Sequence, residues 1–379
     1  MDVLQRVEDK LAKGQRLTDE EALGLFDVRS TPRLGKLAHR ERVRRHGNQV
    51  YTRQDLNVNH TNICAADCGF CAFFAKSSSE NAYLMSIEEI GKKAEAAYRA
   101  GVNEWHVVGG LTPECDLTYF EQMFRVLKTV APGTHIQGMT GVEIDFLAKR
   151  EKLSLAETLQ RLRDAGLDSI PGGGAEVFHP QARKRMMATK IAGERFMDVH
   201  EEAHKMGIPT NVSILYGHVE TNEERIDHLR RIRELQDKSL AHAAAGAGSA
   251  FNAFVALAWN PENTQLHKKT GATGPSAFDT LRFLSIARLY FDNLDHIKIP
   301  WVTVGKQLAQ VTLSYGVDDV GGSAFEERIL QAAGGKTWAF VKRDDLPGLI
   351  RAAGFEPVYA YGSYEPIPQA LVQEVKVSA

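Results

Sequence analysis

Strand-like runs and capped helices alternate along most of this chain, and that alternation narrows the fold more than any other feature. Three helix starts carry the box S/T-x-x-E: Ser86-Ile87-Glu88-Glu89, Ser154-Leu155-Ala156-Glu157 and Thr221-Asn222-Glu223-Glu224. In such a box the hydroxyl accepts an orphan backbone N–H, and the glutamate reaches back to the cap residue. After Ser86, the residues Ile87, Ile90, Ala94 and Ala97 recur at helical spacing until Gly101; after Ser154, Leu155, Leu159 and Leu162 do so until Gly166. Gly193 to Met206 carries Phe196, Val199, Ala203 and Met206 on one face, and a further helix follows Gly274-Pro275-Ser276 through Phe283, Ile286 and Leu289. Between the helices, short apolar runs predict strands at Val50–Asn57, Glu104–Val108, Ile136–Thr140, Ser169–Pro171, Thr210–Leu215, Asn252–Ala258 and Ile297–Val304, with a short one near Asp319.

That count is about eight, the number of a closed parallel barrel. The fold class read from the sequence is α/β: a TIM-like (βα) barrel, near-complete and eight-fold, over residues 50–335. Residues 1–49, with Leu4, Val7 and Leu11 on one stripe, read as a helical N-terminal extension. Residues 336–379, holding Trp338, Phe340, Phe355, Tyr359 and Tyr361, read as a small C-terminal appendage. The alanine-rich run Ala241–Ala250 reads as a mobile surface loop before the sixth strand.

Glycines and polar groups collect after the strands. The second runs into Gly109-Gly110, the third into Gly141-Val142-Glu143, and the fourth into Gly172-Gly173-Gly174-Ala175-Glu176. The fifth runs into Tyr216-Gly217-His218-Val219-Glu220-Thr221 and the sixth into Trp259-Asn260-Pro261-Glu262-Asn263-Thr264. The carboxyl ends of the strands are the face on which barrel active sites form, and glycine there lets backbone approach a ligand closely.

The first strand runs into Asn62-Ile63-Cys64-Ala65-Ala66-Asp67-Cys68-Gly69-Phe70-Cys71. Three thiolates spaced C-x3-C-x2-C can bind three irons of a cubane cluster and leave the fourth open, whereas an ordinary electron-transfer cluster uses four cysteines. Phe70, Phe73 and Phe74 supply apolar cover. The alternative is a zinc site completed by Cys115 or a histidine, but no second C-x2-4-C pair exists. Four cysteines in 379 residues make no disulfide framework, and a net charge of −2 gives no general case for nucleic acid or an acidic membrane as partner. The start MDVLQRVEDKLAKG has no apolar core of a signal peptide, and no apolar run reaches the ~18 residues of a membrane span. A cytoplasmic, reducing setting is expected.

The cysteine spacing resembles that of the radical S-adenosylmethionine (radical SAM) superfamily. The runs Gly166-Leu167-Asp168-Ser169-Ile170-Pro171-Gly172-Gly173-Gly174-Ala175-Glu176-Val177-Phe178 and Leu215-Tyr216-Gly217-His218-Val219-Glu220-Thr221 resemble its menaquinone/deazaflavin group. Within that group, Val142-Glu143-Ile144-Asp145-Phe146-Leu147-Ala148-Lys149, Phe178-His179-Pro180, Pro261-Glu262-Asn263-Thr264 and Lys306-Gln307-Leu308-Ala309-Gln310 resemble aminofutalosine synthases most closely. The resemblance covers roughly residues 50–330. Two departures stand out. Trp259-Asn260 replace the usual Phe-His, and Val320-Gly321-Gly322-Ser323 follow Asp318-Asp319 where Asp-Gly-Thr is usual.

The resemblance implies an enzyme that uses a 4Fe–4S cluster and S-adenosyl-L-methionine as co-substrate. Its reaction adds a 5'-deoxyadenosyl radical to 3-[(1-carboxyvinyl)oxy]benzoate and forms 6-amino-6-deoxyfutalosine with decarboxylation, on the futalosine route to menaquinone. It also implies a flavodoxin or ferredoxin-type reductant. The alternatives are a dehypoxanthine futalosine cyclase, a deazaflavin (F0) synthase-like enzyme or, in another class, a non-catalytic iron–sulfur or zinc protein. Cys64, Cys68 and Cys71 are then the iron ligands. Gly109, Gly110, Glu143, Gly172, Gly173, Glu176, Glu220 and Thr221 are the expected cofactor contacts. His179, Arg183, His218 and Asn260, with Arg185 as a further arginine, are the expected substrate contacts. No catalytic side chain is assigned.

Overall fold

Short parallel strands close into a ring in the computed structural model, which describes residues 3–187, 189–246, 248–334 and 345–373. The strands are β1 (Gln49–Arg53), β2 (Asp55–Val58), β3 (Glu104–Val107), β4 (His135–Gly138), β5 (Thr210–Tyr216), β6 (Phe251–Ala258), β7 (His296–Lys298), β8 (Asp319–Gly322) and β9 (Glu356–Tyr359). One sheet runs β2-β3-β4 and the other β5-β6-β7-β8-β1-β9. The bridges Gln137–Ser169 and Ile170–Thr210 join them on one side. On the other side the Phe325 amide donates to Asp55 O (3.1 Å) and the Asn57 amide to Phe325 O (3.0 Å). With β1 and β2 as one stave bent at Gln54, and residues 169–170 as the fourth, the ring has the expected eight staves.

Side chains alternate across each stave, as strand geometry requires. Leu56, Val58, Trp105, Val107 and Ile136 point outward into one buried cluster, and Val212, Ile214, Phe254, Ala256, Ile297 and Ile299 into a second. The core therefore lies between the sheet and the surrounding helices. The inward positions Asp55, Asn57, His106, Gln137, Ser213 and Lys298 are polar and face a cavity.

The helices start where the sequence marks them. Ser86, Ser154 and Thr221 form complete capping boxes before Ile87–Arg99, Leu155–Ala165 and Asn222–Ala244. Thr18 and Thr140 form two more, which sequence reading passed over. The N-terminal helices Val3–Ala12, Asp19–Gly24 and Thr31–His46 pack on the barrel, with Leu4 and Val7 buried.

Two expectations are corrected. The alanine-rich run is no loop at its start: Asn222–Ala244 stays helical through it, because alanine is the strongest helix former. Its end is pinned, the Ser249 amide donating to His204 O (2.8 Å) and its hydroxyl to Ile208 O (2.7 Å). The seventh strand stops at Lys298, and Trp301–Val304 is a helical turn. Pro300 has no N–H for a ladder and stands at its N-cap, while Trp301 Nε1 donates to Gly322 O (2.8 Å).

Trp338 and Phe340 lie outside the described residues. From Asp345 on, a helix (Asp345–Ala352) leads to β9, which pairs in parallel with β1 through Gln49–Glu356 to Thr52–Tyr359. The chain then crosses under the amino-terminal end of the barrel. There the Gly362 amide donates to Glu104, Asn211 Nδ2 to Gly362 O (3.2 Å) and Asn252 Nδ2 to Ser363 O (3.1 Å). Tyr364 OH donates to Asp319 (2.7 Å), and its ring lies 3.6 Å from that of His296.

Candidate active site

The cysteine loop leaves the carboxyl end of β2 and is fastened to neighbouring segments. The Cys64 amide donates to Ala75 O (3.1 Å), Ala65 to Leu111 O (2.8 Å) and Gly69 to Met186 O (2.9 Å), while Gly69 O accepts from the Leu266 amide (2.7 Å). Asn62 Nδ2 holds Asn81 O (2.8 Å), and Thr61 Oγ1 holds Tyr83 O (2.6 Å). Cys68 is buried and Cys64 and Cys71 are half-buried; all three are free thiols on the wall of one cavity of about 400 Å³. Cys115 is also free but lines a separate small recess with Leu111, Phe120 and Phe146. Three thiols without a fourth suit a cluster with one open iron better than a closed zinc site. Phe70, Phe73 and Phe74 face the same cavity.

Gly109 and Gly110 are wedged against this loop. A Cβ on Gly110 would run into the Ile63 carbonyl, and one on Gly109 would lie 2.5 Å from the His60 ring. The Gly110 amide donates to Thr61 O (2.9 Å) and the Gly109 amide to Glu143 Oε1 (3.0 Å). Glu143 is not a solvated surface acid. It is buried, closes the Thr140 capping box through the Thr140 amide (2.7 Å), and burial pushes its carboxyl up to about 7 against those hydrogen bonds.

Gly172 lies so close to β5 that a Cβ would stand 2.5 Å from Val212 backbone. Gly173 and Gly174 continue the cavity wall. Glu176, with a positive φ of 54°, pairs with Lys190 at 2.7 Å. The Lys190 ammonium sits 5.4 Å from the centre of the Phe70 ring, and both partners face the cavity. Asn260 also lines it, donating to Ala258 O (3.2 Å) and Thr303 O (3.4 Å).

The remaining expected contacts lie elsewhere. Arg183 is buried, but its guanidinium is used on Ala175 O and Val177 O (2.9 Å each) and on Ile191 O, so it holds the glycine-rich loop. His179 lies beside Glu224 (3.1 Å), and Arg185 pairs with the same carboxylate at 2.6 Å. The buried His218 side chain is fastened to Leu215 O (2.8 Å) and Glu220 (2.9 Å), edge-on to the Trp259 ring. Burial pushes the Glu220 carboxyl up, but His218, Arg225 and the Gly217 amide outweigh it and hold it at about 2. Thr221 is an exposed helix cap accepting from the Glu224 amide (3.2 Å). None of these six lines the cavity. Helix capping and loop bracing use these polar residues near the strand ends.

Sequence reading also missed the cavity floor. Asp55, His106, Gln137, Asn211, Ser213 and Lys298 come from five staves, Asn211 and Ser213 sharing β5, and line it together. Their signal was polar residues alternating with outward apolar ones in Asp55-Leu56-Asn57-Val58, Glu104-Trp105-His106-Val107 and His296-Ile297-Lys298. The departure at Gly321-Gly322-Ser323 also belongs here. A Cβ on Gly322 would overlap the Asp55 carboxylate, and Ser323 Oγ donates to Asp55 O (2.8 Å).

Comparison with known proteins agrees with this geometry. The family profile described as the radical SAM superfamily matches residues 58–232, and that of the CofH/MqnC C-terminal region matches residues 248–372. An aminodeoxyfutalosine synthase of Thermus thermophilus is 37% identical over 98% of this chain and 95% of its own length. A cyclic dehypoxanthine futalosine synthase of Streptomyces coelicolor is 34% identical over 96% of this chain and 88% of its own. Among solved structures, methylornithine synthase superposes with a TM-score of 0.72 at 18% identity, over 93% of this chain and 97% of that one, which shows a common fold. The chain belongs to the radical SAM superfamily, in the group that carries the CofH/MqnC C-terminal region.

Proposed function

We propose that this radical SAM enzyme is an aminodeoxyfutalosine synthase. It joins the adenosyl part of S-adenosyl-L-methionine to 3-[(1-carboxyvinyl)oxy]benzoate, releasing methionine and one carboxyl group and giving 6-amino-6-deoxyfutalosine. The observation that carries this reading is the 37% identity to a protein of that name along nearly the whole of both chains. A cavity running from three thiols to a polar floor supports it, since two molecules must meet there. Bound together, the 4Fe–4S cluster and S-adenosyl-L-methionine supply a 5'-deoxyadenosyl radical.

The protein's own part is placement and exclusion. Cys64, Cys68 and Cys71 hold three irons on a loop fixed by its backbone seams. Gly109 and Gly110 present backbone beside that loop, with Glu143 orienting the Gly109 amide. Lys190, paired with Glu176, offers a buried ammonium near the cysteines. Phe70, Phe73, Phe74 and Trp259 keep water from the upper cavity. A flavodoxin or ferredoxin-type protein delivers the electron. Among the described residues no helix is long and apolar enough to cross a membrane.

Anaerobic turnover with the enol ether, read by product mass, tests the reading. The expected product contains the whole adenosine unit, and methionine appears in equal amount. The 34% identity to a cyclic dehypoxanthine futalosine synthase supports a second reading. Turnover of dehypoxanthine futalosine, with free 5'-deoxyadenosine and no adenosine-containing product, would establish it and overturn the first.

A further inference from the structure

The floor of the cavity holds a cation without a direct partner. Lys298 stands at an inward position of β7, between Ile297 and Ile299, which face the outer core. Its ammonium makes no hydrogen bond and no ion pair among the described residues. The charged groups around it are Arg53 on β1, Asp55 on β2, Glu104 on β3 and Asp319 on β8. Each of these is engaged elsewhere. Asp319 is held by Arg53, Tyr364 OH (2.7 Å) and the Gly321 amide (2.6 Å). Asp55 accepts from the Ala324 amide (2.6 Å), and Glu104 accepts from the Gly362 amide. Burial pushes Glu104 up to about 7, so it carries only about half of a full negative charge near neutrality. A half-buried ammonium with no direct counter-ion is costly, and desolvation in the cavity accordingly pushes Lys298 below the ordinary lysine range.

Apart from the Asp55 carboxylate, the rest of the floor is made of neutral hydrogen-bonding groups. Asn211, Ser213 and Gln137 face it, and burial drives His106 down to about 4, leaving a neutral imidazole. A cation with no hydrogen-bonded counter-ion, neighbouring carboxylates that are engaged elsewhere, neutral polar groups beside it and Trp301 and Val255 as walls suit an aryl carboxylate. The depth also fits. Lys298 pairs in register with Val255, and β6 continues to Ala258, so the Lys298 backbone lies about 10 Å below the carboxyl end of β6.

We propose that Lys298 anchors the ring carboxylate of the substrate at the barrel floor, so that the carboxyvinyl end points up toward the cysteine loop. This rests on the proposed reaction, and its test separates the two. Titration calorimetry is run anaerobically on the cluster-loaded enzyme with S-adenosylmethionine, using three probes: benzoate, its neutral methyl ester and the enol ether. The wild-type protein is expected to prefer benzoate to the ester, and Lys298→Met to lose that preference and bind benzoate and the enol ether at least about tenfold more weakly. Lys298→Arg should restore part of it. S-adenosylmethionine affinity in the same samples reports that each variant is folded; should the Met variant fail there, Lys298→Gln is judged by the same acid-to-ester preference. An unchanged preference in a folded neutral variant, or none in the wild type, overturns the anchor. Lys298-dependent benzoate binding without enol-ether binding keeps the anchor and overturns the proposed substrate.

Discussion

Single residues near the cysteine loop have consequences that can be separated experimentally. Cys64→Ala, Cys68→Ala and Cys71→Ala should each lose iron content and the brown absorbance after reconstitution, while Cys115→Ala, whose thiol lies in its own recess, should keep both. Gly110→Val should behave like the cysteine variants. Its side chain would push on the Ile63 carbonyl, one residue before Cys64, so iron retention as well as cofactor affinity should fall. Iron analysis showing a full cluster in that variant would reduce the close approach to an incidental packing detail. Glu104 makes a pH prediction. Burial raises its carboxyl from 4.5 to about 7, so across that window the folded state binds the proton more tightly than the unfolded chain. Its contribution to stability must then decline as pH rises through the window. Urea unfolding of Glu104→Gln should show a flatter loss of stability between pH 5 and 8 than the parent, and parallel curves would refute the assignment.

Helix caps separate a structural from a ligand role at the level of elements. Thr221→Ala should destabilise the protein by about 1 kcal/mol and leave S-adenosylmethionine affinity unaltered, because Thr221 is exposed and spends its oxygen on the Glu224 amide. Calorimetry showing a large loss of cofactor affinity would return Thr221 to the site. The elements themselves were legible because their signals are local. Ser86, Ser154 and Thr221 sit three residues before their glutamates, and all eight staves were found. What sequence reading lacked was direction. Arg183, His218 and Glu220 look like ligands in a linear reading, yet their partners are backbone groups and charges within about ten residues. Lys298 and Asp55 look like ordinary strand charges, and only closure of the ring brings them to one floor. Lys190 was missed for the same reason, since Glu176 reaches it across a helix.

The segment after β9 makes the lower end of the barrel part of the site. A Cβ on Gly362 would strike the Gln137 side chain, which lines the cavity. Gly362→Val should therefore weaken enol-ether binding while the cysteine loop at the opposite end still loads its cluster; equal affinity in calorimetry would show that the floor yields without effect.

The same seam sets an order of events in the cell. The first stave cannot finish pairing until β8 and β9 exist, and Asp55 waits for Ser323 across 268 residues. At a ribosomal pace of about 5–20 residues per second, that wait is on the order of tens of seconds. Throughout it the edge of β1 is an open template of unpaired amides and carbonyls. A nascent chain of this design needs shelter from its neighbours until its last strand emerges. Overexpression that outruns such shelter should yield insoluble protein whose aggregates form through β1.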